Sequence, residues 1–392
     1  MKLGPLEKFD PKNKDHIDSK KYKIIEWENT GRRPTKVSFN ATLKDDLSRR
    51  DIQINAMAID KDGNIIDEFG GREAIRNKIL KMVGNPYERF SEDFLRMLRV
   101  PRFSSKLDFK IDKGTEKAIQ KLSTNIQDLA PERVKDELLK AASTSGDKFA
   151  DYILLLDKLK LLKHILPEVV NLKWYRENLS HHPETKGKGG TVFSHVLSAL
   201  RISNTADPIK NLAILLHDVG KGVTLSNVGG LPKYLGHAKA GITLVDSIAD
   251  RLKMSNKERD AMLFAVGNHM KFHDILDMKA SKIAKMVSDE HWDILLAVAH
   301  ADEFSRGNAF SHKGAFEKQV EKCIEVKAKY GMKTVNKQLK LVSGDHVMNL
   351  VGDKSGPKIG EVIRKVTMWI MDNNITNQTE IDDKIKEVYG SL

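Results

Sequence analysis

The stretch SRRDIQINAMAID, residues 48–60, combines residue types that suit nucleotide binding. Arg49, Arg50 and Asp51 stand directly before a segment in which apolar residues alternate from 52 to 58. Guanidinium groups bind phosphate oxygens through paired hydrogen bonds, and a carboxylate accepts hydrogen bonds from ribose hydroxyls. The alternation predicts a half-buried strand. In isolation, the Arg-Arg-Asp triplet is more simply explained by salt bridges at the start of a strand.

A second short segment, EDFLR at residues 92–96, brings an acid close to a base. Asp93 and Arg96 are three positions apart, so a helix would place them on one face. There they would offer one hydrogen-bond acceptor and one donor fork to the same pocket. The alternative for this spacing is an ion pair on a solvated helix, which contributes little to stability.

Histidine and aspartate residues form a third group. GTVFSHVLSAL contains His195, NLAILLHDVGKG contains His217 and Asp218, and LAVAHADEFSRG contains Asp302. Imidazole and carboxylate ligands together suit a transition metal or Mg²⁺ that activates water for attack on phosphorus. For each histidine taken singly, a structural role is the more common situation.

The composition limits the classes of function. Lys and Arg number 66 against 54 Asp and Glu among 392 residues, and the net charge of +12 favours nucleic acid as the partner. A generally basic soluble protein is the alternative, because net charge does not show where charges cluster. The single cysteine, Cys323, argues against disulfides and thiolate metal clusters. Without an apolar run near the roughly 18 residues that span a bilayer, and without an apolar signal core at the start, the expected location is the cytoplasm, with no membrane contact.

The elements that must position these residues change character near residue 87. Before it, KYKIIEWE predicts a strand, and INAMAIDKDGNIIDEF predicts two strands around an Asp62-Gly63 turn. From ERFSEDFLRMLRV onward, apolar residues recur at intervals of three and four, which predicts helices. HHPETKGKGG, residues 181–190, predicts a loop that joins two domains. The expected fold class is α+β, and mostly α.

Four blocks in the first hundred residues together resemble a known family. In order and spacing, GRRPTKVSF (31–39), DDLSRRDIQINAM (45–57), IIDEFGGREAIRNKILKMVG (65–84) and EDFLRMLRVPRF (92–103) are similar to class II tRNA nucleotidyltransferases and poly(A) polymerases. The resemblance implies that the RRD block holds the ribose and phosphates of the incoming nucleotide. It also implies that Asp93 and Arg96 pair with the base edges of CTP and then ATP. The predicted nucleotide-binding residues are Arg49, Arg50, Asp51, Asn55, Asp93, Arg96, Arg99 and Arg102.

One part of the family pattern is not found in the sequence. The family places a Gly-Gly loop and an Asp-x-Asp pair, which bind Mg²⁺ for nucleotidyl transfer, well before the strand KYKIIEWE. In the family, that strand normally carries a third acid. The best match to the family pattern places Lys23 at the position of this acid, and Glu26 and Glu28, further along the strand, are its substitutes. We therefore expect the polymerase carboxylates to come from a separate polypeptide or to be lost. The chain alone would then bind CTP or ATP without transferring them.

The histidine and aspartate group resembles the HD phosphohydrolase domain of bacterial CCA-adding enzymes, through LLHDVGKG, GHAKAG and GNHMKFHD in that order. The resemblance implies a divalent metal, such as Ni²⁺, Mn²⁺ or Mg²⁺, held by four side chains. The predicted ligands are His195, His217, Asp218 and Asp302, with His237 and His269 as candidates for a second metal. The predicted catalytic residues are His217, Asp218 and Lys221, with Lys221 contacting the substrate phosphate.

The segment VSGDHVMNLVGDKSGPKIGEVIRKV (342–366) resembles the closing part of the same enzymes, where amides at a helix N-terminus could meet an RNA phosphate. A simple helix hairpin is the alternative.

The expected domains are a partial nucleotidyltransferase palm with a mixed β-sheet (1–87), a helical neck that selects nucleotides and binds RNA (88–170), an all-α HD domain (171–312) and a helical, tRNA-binding tail (313–392).

The resulting hypothesis is a tRNA nucleotidyltransferase family protein that adds or repairs the 3′-terminal CCA of tRNA from CTP and ATP. It would also carry metal-dependent phosphohydrolase activity. Two alternatives stay open. One is a stand-alone HD phosphohydrolase, a phosphatase or 2′,3′-cyclic phosphodiesterase, that acts on RNA ends or nucleotides. The other is a tRNA-binding protein without catalytic activity.

Overall fold

The computed structural model describes residues 7–8, 23–27, 34–38, 42–179, 182–228, 231–306, 313–330, 342–373 and 375–392. Packing divides the chain into two compact units, Met1–Leu263 and Phe264–Leu392. Within the described ranges, no helix combines the length and the apolar character needed to cross a membrane. The domain boundaries expected after residues 87, 170 and 312 stay predictions.

The first unit begins with an antiparallel sheet. Its central strand, Pro34–Ser38, pairs on one side with Glu7–Lys8 and on the other with Lys23–Trp27. The strand predicted from KYKIIEWE is thereby confirmed. Glu28 lies outside the described residues, and at Lys23 and Glu26 only the backbone is described, so the expected shift of the third acid is not tested.

A hairpin follows, in which Ala58–Ile59 pairs antiparallel with Ile65–Ile66. In its turn, Asp60 Oδ1 accepts the N–H groups of Asp62 and Asn64 at 2.9 and 2.8 Å. Gly63 adopts a φ of +85°, a left-handed conformation that other residues rarely adopt. The two strands predicted around the Asp62-Gly63 turn are confirmed, although each is only two residues long.

The strand predicted over residues 52–58 is wrong for most of that length. Ile52 makes an isolated antiparallel bridge with Met82, and Gln53–Asn55 then forms a 3-10 helix. The reason is local hydrogen bonding. The N–H of Asn55 donates to the carbonyl of Ile52 at 2.9 Å, and the Asn55 side chain donates to Asp51 Oδ1 at 3.1 Å. Both bonds turn the chain instead of extending it.

The rest of the first unit is mainly helical. Its α-helices are Leu43–Ser48, Gly71–Arg76, Pro86–Glu92, Arg96–Leu107, Lys113–Leu122, Pro131–Ala142, Gly146–Lys158, Leu162–Ile165, Pro167–Asn171, Val192–Ile202, Pro208–Leu216 and His237–Arg251. The 3-10 helices after the first are Ser123–Asp128, Leu172–Trp174, Pro183–Thr185 and Val219–Val223. Ile79–Leu80 pairs parallel with Lys110–Ile111, and Ser226–Val228 pairs antiparallel with Leu231–Lys233. The predicted change from strands to helices near residue 87 is confirmed.

The second unit is helical in its described part and begins inside the helix Asn256–His273. Its other helices are Ala280–Val287, Trp292–Ser305, Lys313–Tyr330, Gly344–Val351, Pro357–Asn373 and Gln378–Gly390, with a 3-10 turn at Ile275–Asp277. The buried side chains form two apolar clusters, one around Phe272 and Phe316 and the other around Val362 and Ile385. The predicted glycine-punctuated turn is present, because Gly352, with a φ of +71°, ends the helix that precedes Pro357.

Candidate nucleotide and metal sites

A cavity of about 470 Å³ lies between the RRD segment and the neck helices of the first unit. Six of the eight residues predicted to bind nucleotide line it: Arg50, Asp51, Asn55, Asp93, Arg96 and Arg99. Leu95 and Arg133 complete the lining. Residues that are far apart in the sequence are thus brought to one concave surface that is rich in guanidinium groups.

Asp46 positions the two arginines of the RRD segment. It lies on the short helix Leu43–Ser48, whose start is fixed by a capping box between Thr42 and Asp45. Asp46 Oδ1 accepts from Arg49 Nε at 2.9 Å, and Oδ2 accepts from Arg50 Nη2 at 3.0 Å. Burial alone would raise the pKa of Asp46, but these hydrogen bonds outweigh it and lower the pKa. Sequence reasoning did not identify this carboxylate.

Asp51 is buried beneath the cavity and binds two of the side chains that line it. Its side chain is 8% exposed, and Oδ1 accepts from the N–H of Ile52 at 2.9 Å and from Asn55. Oδ2 accepts from Arg99 Nε at 2.8 Å and from Nη2 at 2.7 Å. Burial tends to raise the pKa of Asp51, but the Arg99 charge and these hydrogen bonds outweigh it and lower the pKa. Asp51 therefore fixes Arg99 and Asn55 in place.

The prediction that Asp93 and Arg96 share a helix face is wrong. The helix Pro86–Glu92 ends before Asp93, which is extended at φ −155° and ψ 104°, and a new helix begins at Arg96. The physical reason is that Asp93 Oδ1 accepts from the N–H of Leu95 at 3.0 Å, a side-chain bond that competes with helix continuation. Both residues nevertheless line the cavity.

The cationic partner of Asp93 is Arg133, which comes from the separate helix Pro131–Ala142. Arg133 Nη2 donates to Asp93 Oδ2 at 3.0 Å. Arg96 is instead 8% exposed, and it donates to the carbonyls of Arg89 and Arg49 at 2.7 and 3.1 Å and to Glu92 at 2.7 Å. Arg96 thus links the chain segments that form the wall, while Arg133 offers a donor beside Asp93.

Arg102 has a different environment from the other predicted arginines. Its Nε donates to Glu137 Oε2 at 2.6 Å, and the Glu137 side chain is only 1% exposed. Lys140 donates to the other oxygen of Glu137 at 3.0 Å. The pair joins the helices Arg96–Leu107 and Pro131–Ala142, which carry Arg99 and Arg133. Arg102 therefore supports the helices around the cavity, and its predicted nucleotide contact stays a prediction.

A second site forms around Asp218. His195 Nε2 and His217 Nε2 lie 3.5 and 3.2 Å from Asp218 Oδ2, and His237 Nε2 lies 3.2 Å from Oδ1. Lys221 Nζ lies 2.9 Å from Oδ2. Burial alone would raise the pKa of Asp218, but Lys221 and His217 hold it well below its usual range. The predicted residues of the first unit thus converge on one buried carboxylate.

The orientation of each imidazole is set by its other nitrogen. His217 Nδ1 donates to the carbonyl of Ile214 at 2.7 Å, and His237 Nδ1 donates to the carbonyl of Tyr234 at 2.8 Å. His195 Nδ1 donates to Glu184 Oε1 at 2.8 Å. Metal-binding histidines are held in this way in proteins, with the second nitrogen bonded to a carbonyl or carboxylate. His195, His217 and Asp218 offer ligand atoms close enough to one another to hold a divalent transition metal, while His237 approaches the other oxygen of Asp218.

Local sequence explains why these side chains meet. His195 lies in Val192–Ile202, whose start is fixed by a Thr191–Ser194 capping box, and His217 directly follows Pro208–Leu216. Asp218 directly precedes the turn Val219–Val223. This turn packs against the first residues of the helix His237–Arg251. Gly220 allows this close packing, because an added Cβ would lie 2.0 Å from the His237 carbonyl oxygen.

Lys221 is buried between two acids. Its Nζ lies 2.8 Å from Glu177 Oε1 as well as 2.9 Å from Asp218. Burial alone would lower the pKa of Lys221, but the two carboxylates raise it above its usual value. The predicted contact between Lys221 and a substrate phosphate stays a prediction.

The loop predicted as a joint between domains lies inside the first unit instead. Residue 181 is outside the described residues, but Pro183–Thr185 forms a 3-10 helix that places Glu184 against His195. His182 Nδ1 donates to the same Glu184 oxygen at 3.2 Å. The clustering of His and Glu within HHPE was the available signal for these residues, and the surrounding glycines and lysines obscured it.

His269 and Asp302 belong to the second unit. His269 Nδ1 donates to the carbonyl of Val266 at 2.7 Å, the same arrangement as at His217. Asp302 Oδ2 accepts from His273 Nε2 at 3.3 Å, and Oδ1 accepts from Arg306 Nη2 at 3.4 Å. The hydrogen bond to Asp302 raises the pKa of His273. The predicted metal-binding roles of His269 and Asp302 stay predictions.

Comparison with known proteins relates the chain to one group of enzymes. The family described as "Poly A polymerase head domain" matches residues 8–81, and the family described as "Probable RNA and SrmB- binding site of polymerase A" matches residues 108–172. The Multifunctional CCA protein of Acinetobacter baumannii (strain ATCC 17978) is 30% identical over 328 residues, which cover 82% of this chain and 75% of that protein. The protein of the same name from Legionella pneumophila (strain Paris) is 29% identical over 74% of this chain and 72% of its own length.

A solved structure has the same fold. The Bacillus stearothermophilus CCA-adding enzyme in complex with CTP matches 93% of this chain and 78% of its own chain, with a TM-score of 0.64 and 22% identity. At that identity, the likeness concerns the fold alone. It confirms the predicted fold class of mixed α and β structure that is mostly helical.

Proposed function

The chain belongs to the family of CCA-adding tRNA nucleotidyltransferases, and we propose that it adds or repairs the 3′-terminal CCA of tRNA from CTP and ATP. The observation that carries this proposal is the 470 Å³ cavity, in which the Asp93–Arg133 pair lies beside Arg50, Asp51 and Arg99. The family membership supports the reaction, and the cavity supports the choice of nucleotides.

Asp93 and Arg133 together match the base edges that cytosine and adenine share. Both bases present an amino group beside a ring nitrogen that accepts a hydrogen bond. A carboxylate can accept only, and a guanidinium can donate only. Uracil and guanine present a carbonyl beside a ring N–H. The Asp93 carboxylate would then face the carbonyl, which is another acceptor, and the Arg133 guanidinium would face the ring N–H, which is another donor. The pair therefore favours CTP and ATP and opposes UTP and GTP.

The arginines beside the pair suit the triphosphate. The side chain of Arg50 is 47% exposed and that of Arg99 is 32% exposed, so both can be reached from the cavity. Asp46 and Asp51 hold these two side chains in place before a ligand arrives. A guanidinium that is already oriented loses less conformational freedom when it binds phosphate.

The metal carboxylates of the transfer reaction are not part of this cavity as the described residues form it. Nucleotidyl transfer needs acidic ligands for a metal such as Mg²⁺, which stabilises charge on the transferred phosphoryl group. The hypothesis that a Gly-Gly and Asp-x-Asp block comes from a separate polypeptide remains a prediction. Its test is transfer activity with and without a fragment that carries such a block.

Transfer RNA is the proposed macromolecular partner. Support comes from the family match at residues 108–172 and from the net charge of +12. Binding through phosphates releases counterions, so the logarithm of affinity should fall linearly with the logarithm of salt concentration. A filter-binding titration at several salt concentrations tests this partner. Salt-independent binding, or the lack of binding, would contradict it.

The nucleotide preference can be tested without any transfer reaction. Equilibrium dialysis with labelled CTP, ATP, GTP and UTP should show tighter binding of the first two. Asp93→Asn should reduce the difference, because an amide can both donate and accept. Equal affinity of the unaltered chain for all four nucleotides would contradict the assignment of the pair.

A second candidate function is metal-dependent hydrolysis of a phosphoester at Asp218. The cluster holds the buried carboxylates of Glu177 and Asp218, which both contact the Lys221 ammonium, and the carboxylate of Glu184, a half-buried residue. With neutral imidazoles the cluster therefore has a net negative charge, which a divalent cation would compensate. A bound metal would provide a Lewis acid and an activated water. His195, His217 and Asp218 would hold it, with Asp302 as the predicted fourth ligand.

Hydrolysis of phosphoesters distinguishes this second candidate function from nucleotide addition. Phosphate release from small phosphoesters and opening of 2′,3′-cyclic nucleotides should require Ni²⁺, Mn²⁺ or Mg²⁺ and should disappear in Asp218→Ala. Activity that survives both a chelator and Asp218→Ala would exclude the site. If tRNA binds but neither hydrolysis nor nucleotide addition occurs, even with a fragment that carries the Gly-Gly and Asp-x-Asp block, the chain is the tRNA-binding protein without catalytic activity.

A further inference from the structure

A closed ring of polar contacts includes His195 in the first unit. From Asp218 the ring passes through Lys221, Glu177, His182 and Glu184 to His195 and back to Asp218. The longest steps are 3.6 Å, from His182 Nε2 to Glu177 Oε2, and 3.5 Å, from His195 Nε2 to Asp218 Oδ2. Next to the metal site predicted from the sequence therefore lie Glu177, His182 and Glu184, which the sequence motif does not include.

Glu184 joins the two histidines of this ring. A single oxygen, Oε1, accepts from His195 Nδ1 at 2.8 Å and from His182 Nδ1 at 3.2 Å. The Glu184 side chain is 7% exposed and the His195 side chain is 0% exposed. The two imidazole rings lie 4.5 Å apart, edge to face, so His182 also restricts the position of the His195 ring.

This contact fixes both the tautomer and the direction of His195. With Nδ1–H donated to Glu184, the proton-free Nε2 is directed at Asp218. A negatively charged acceptor on one side of an imidazole also makes the other nitrogen a stronger metal ligand. At the corresponding nitrogen, His217 and His237 donate to backbone carbonyls, whereas His195 donates to a carboxylate.

We propose that Glu184, supported by His182, is a positioning residue that orients His195 for a divalent cation at Asp218 and strengthens its binding. The proposal rests on the second candidate function, since it assumes that a metal binds there. In this arrangement Glu184 would not be a ligand of the cation at Asp218, because its Oε1 faces the nitrogen of His195 that points away from Asp218.

Calorimetric titration of the full chain with Mn²⁺, at one fixed pH, tests the proposal. Loss of a carboxylate behind a metal-binding histidine typically weakens metal affinity about 10- to 100-fold. We expect this loss in Glu184→Met and a smaller loss in Glu184→Gln, which keeps an acceptor but not the charge. The matched control is Glu168→Gln, because Glu168 also accepts from a basic side chain, Arg251, away from the cluster.

Visible absorption of the Co²⁺-loaded chain gives a second readout that depends on ligand geometry. We expect Glu184→Met to change the Co²⁺ spectrum and Glu168→Gln to leave it unchanged. Should Glu184→Met fail to fold, His182→Leu replaces it, with a several-fold loss of affinity expected because Glu184 loses one of its two donors. Unaltered Mn²⁺ affinity and an unaltered Co²⁺ spectrum in a folded variant would overturn the proposal. An unaltered chain that binds no metal would instead contradict the second candidate function itself.

Discussion

Arg133 Nη2 donates a hydrogen bond of 3.0 Å to Asp93 Oδ2, although the two residues lie on separate segments of the chain. Both line the cavity that also contains Arg50, Asp51 and Arg99. The pair combines an acceptor with a donor at the position where the sequence motif places only Asp93 and Arg96. In the proposed function, the choice between nucleotides would therefore depend on how the helix Pro131–Ala142 packs against the segment that carries Asp93.

Asp93→Asn is expected to weaken discrimination between CTP and UTP. A well-formed paired contact to a base edge contributes about 1–3 kcal/mol of discrimination, so the ratio of the two affinities should fall by roughly 5- to 150-fold. Competition binding with a labelled nucleotide measures this ratio. Asp62→Asn, in the exposed hairpin turn, is the matched control. An unchanged ratio in Asp93→Asn would show that Asp93 does not contact the base.

Glu137→Gln is expected to destabilise the neck. Removing one partner of a buried ion pair leaves the other charge uncompensated and costs about 3–5 kcal/mol. The midpoint of urea unfolding should fall, whereas Glu361→Gln, in an exposed pair with Arg364, should change it little. The double substitution Arg102→Met with Glu137→Leu should recover much of the loss, because no buried charge remains. An unchanged midpoint in Glu137→Gln would contradict this account.

The stability difference between the unaltered chain and Asp51→Asn should depend on pH. Asp51 has a folded-state pKa below its ordinary value of 3.8, so its ionised form stabilises the folded state. That contribution, about 1–2 kcal/mol for a partly exposed pair with Arg99, is present above pH 3.8 and is lost as the pH falls through the folded-state pKa. Unfolding in urea from pH 7 to pH 3 measures it. A difference that grows as the pH falls would contradict the sign.

Gly220→Ala should disturb the Asp218 site, because the added Cβ would lie 2.0 Å from the His237 carbonyl oxygen. The turn Val219–Val223 would have to move away from the helix that His237 begins. We expect Mn²⁺ affinity to fall by at least about tenfold. Gly222→Ala is the matched control, since its Cβ would meet Tyr175 at an ordinary 3.7 Å. Equal effects of the two substitutions would contradict the close packing at Gly220.

Local patterns predicted much of the architecture. The change from strands to helices, the Asp62-Gly63 hairpin and the turn at Gly352 follow from neighbouring residues, and the structure confirms them. Prediction was wrong where a side chain bonds to nearby backbone, since Asp51 and Asp93 turn the chain in segments whose spacing suggested a strand and a single helix.

Contacts between distant segments were not predictable in the same way. Arg133 lies 40 positions from Asp93, and Glu184 lies 11 positions from His195, and no periodicity connects such pairs. The sequence motif identified His195, His217 and Asp218, which do meet, but not the acids behind them. Family membership followed from four blocks in order, and the comparisons confirm it.

Nucleotide addition to tRNA that lacks its 3′-terminal CCA tests the central claim most directly. The full chain is incubated with this tRNA, Mg²⁺ and each labelled nucleotide in turn, alone and with a fragment that carries a Gly-Gly and Asp-x-Asp block. We expect stepwise addition of C, C and A when the carboxylates are supplied, and loss of the preference for CTP and ATP in Asp93→Asn. Addition by the chain alone would contradict only the expectation that the carboxylates come from elsewhere. Equal incorporation of all four nucleotides, or none in either arm while tRNA and CTP bind, would contradict the proposed function.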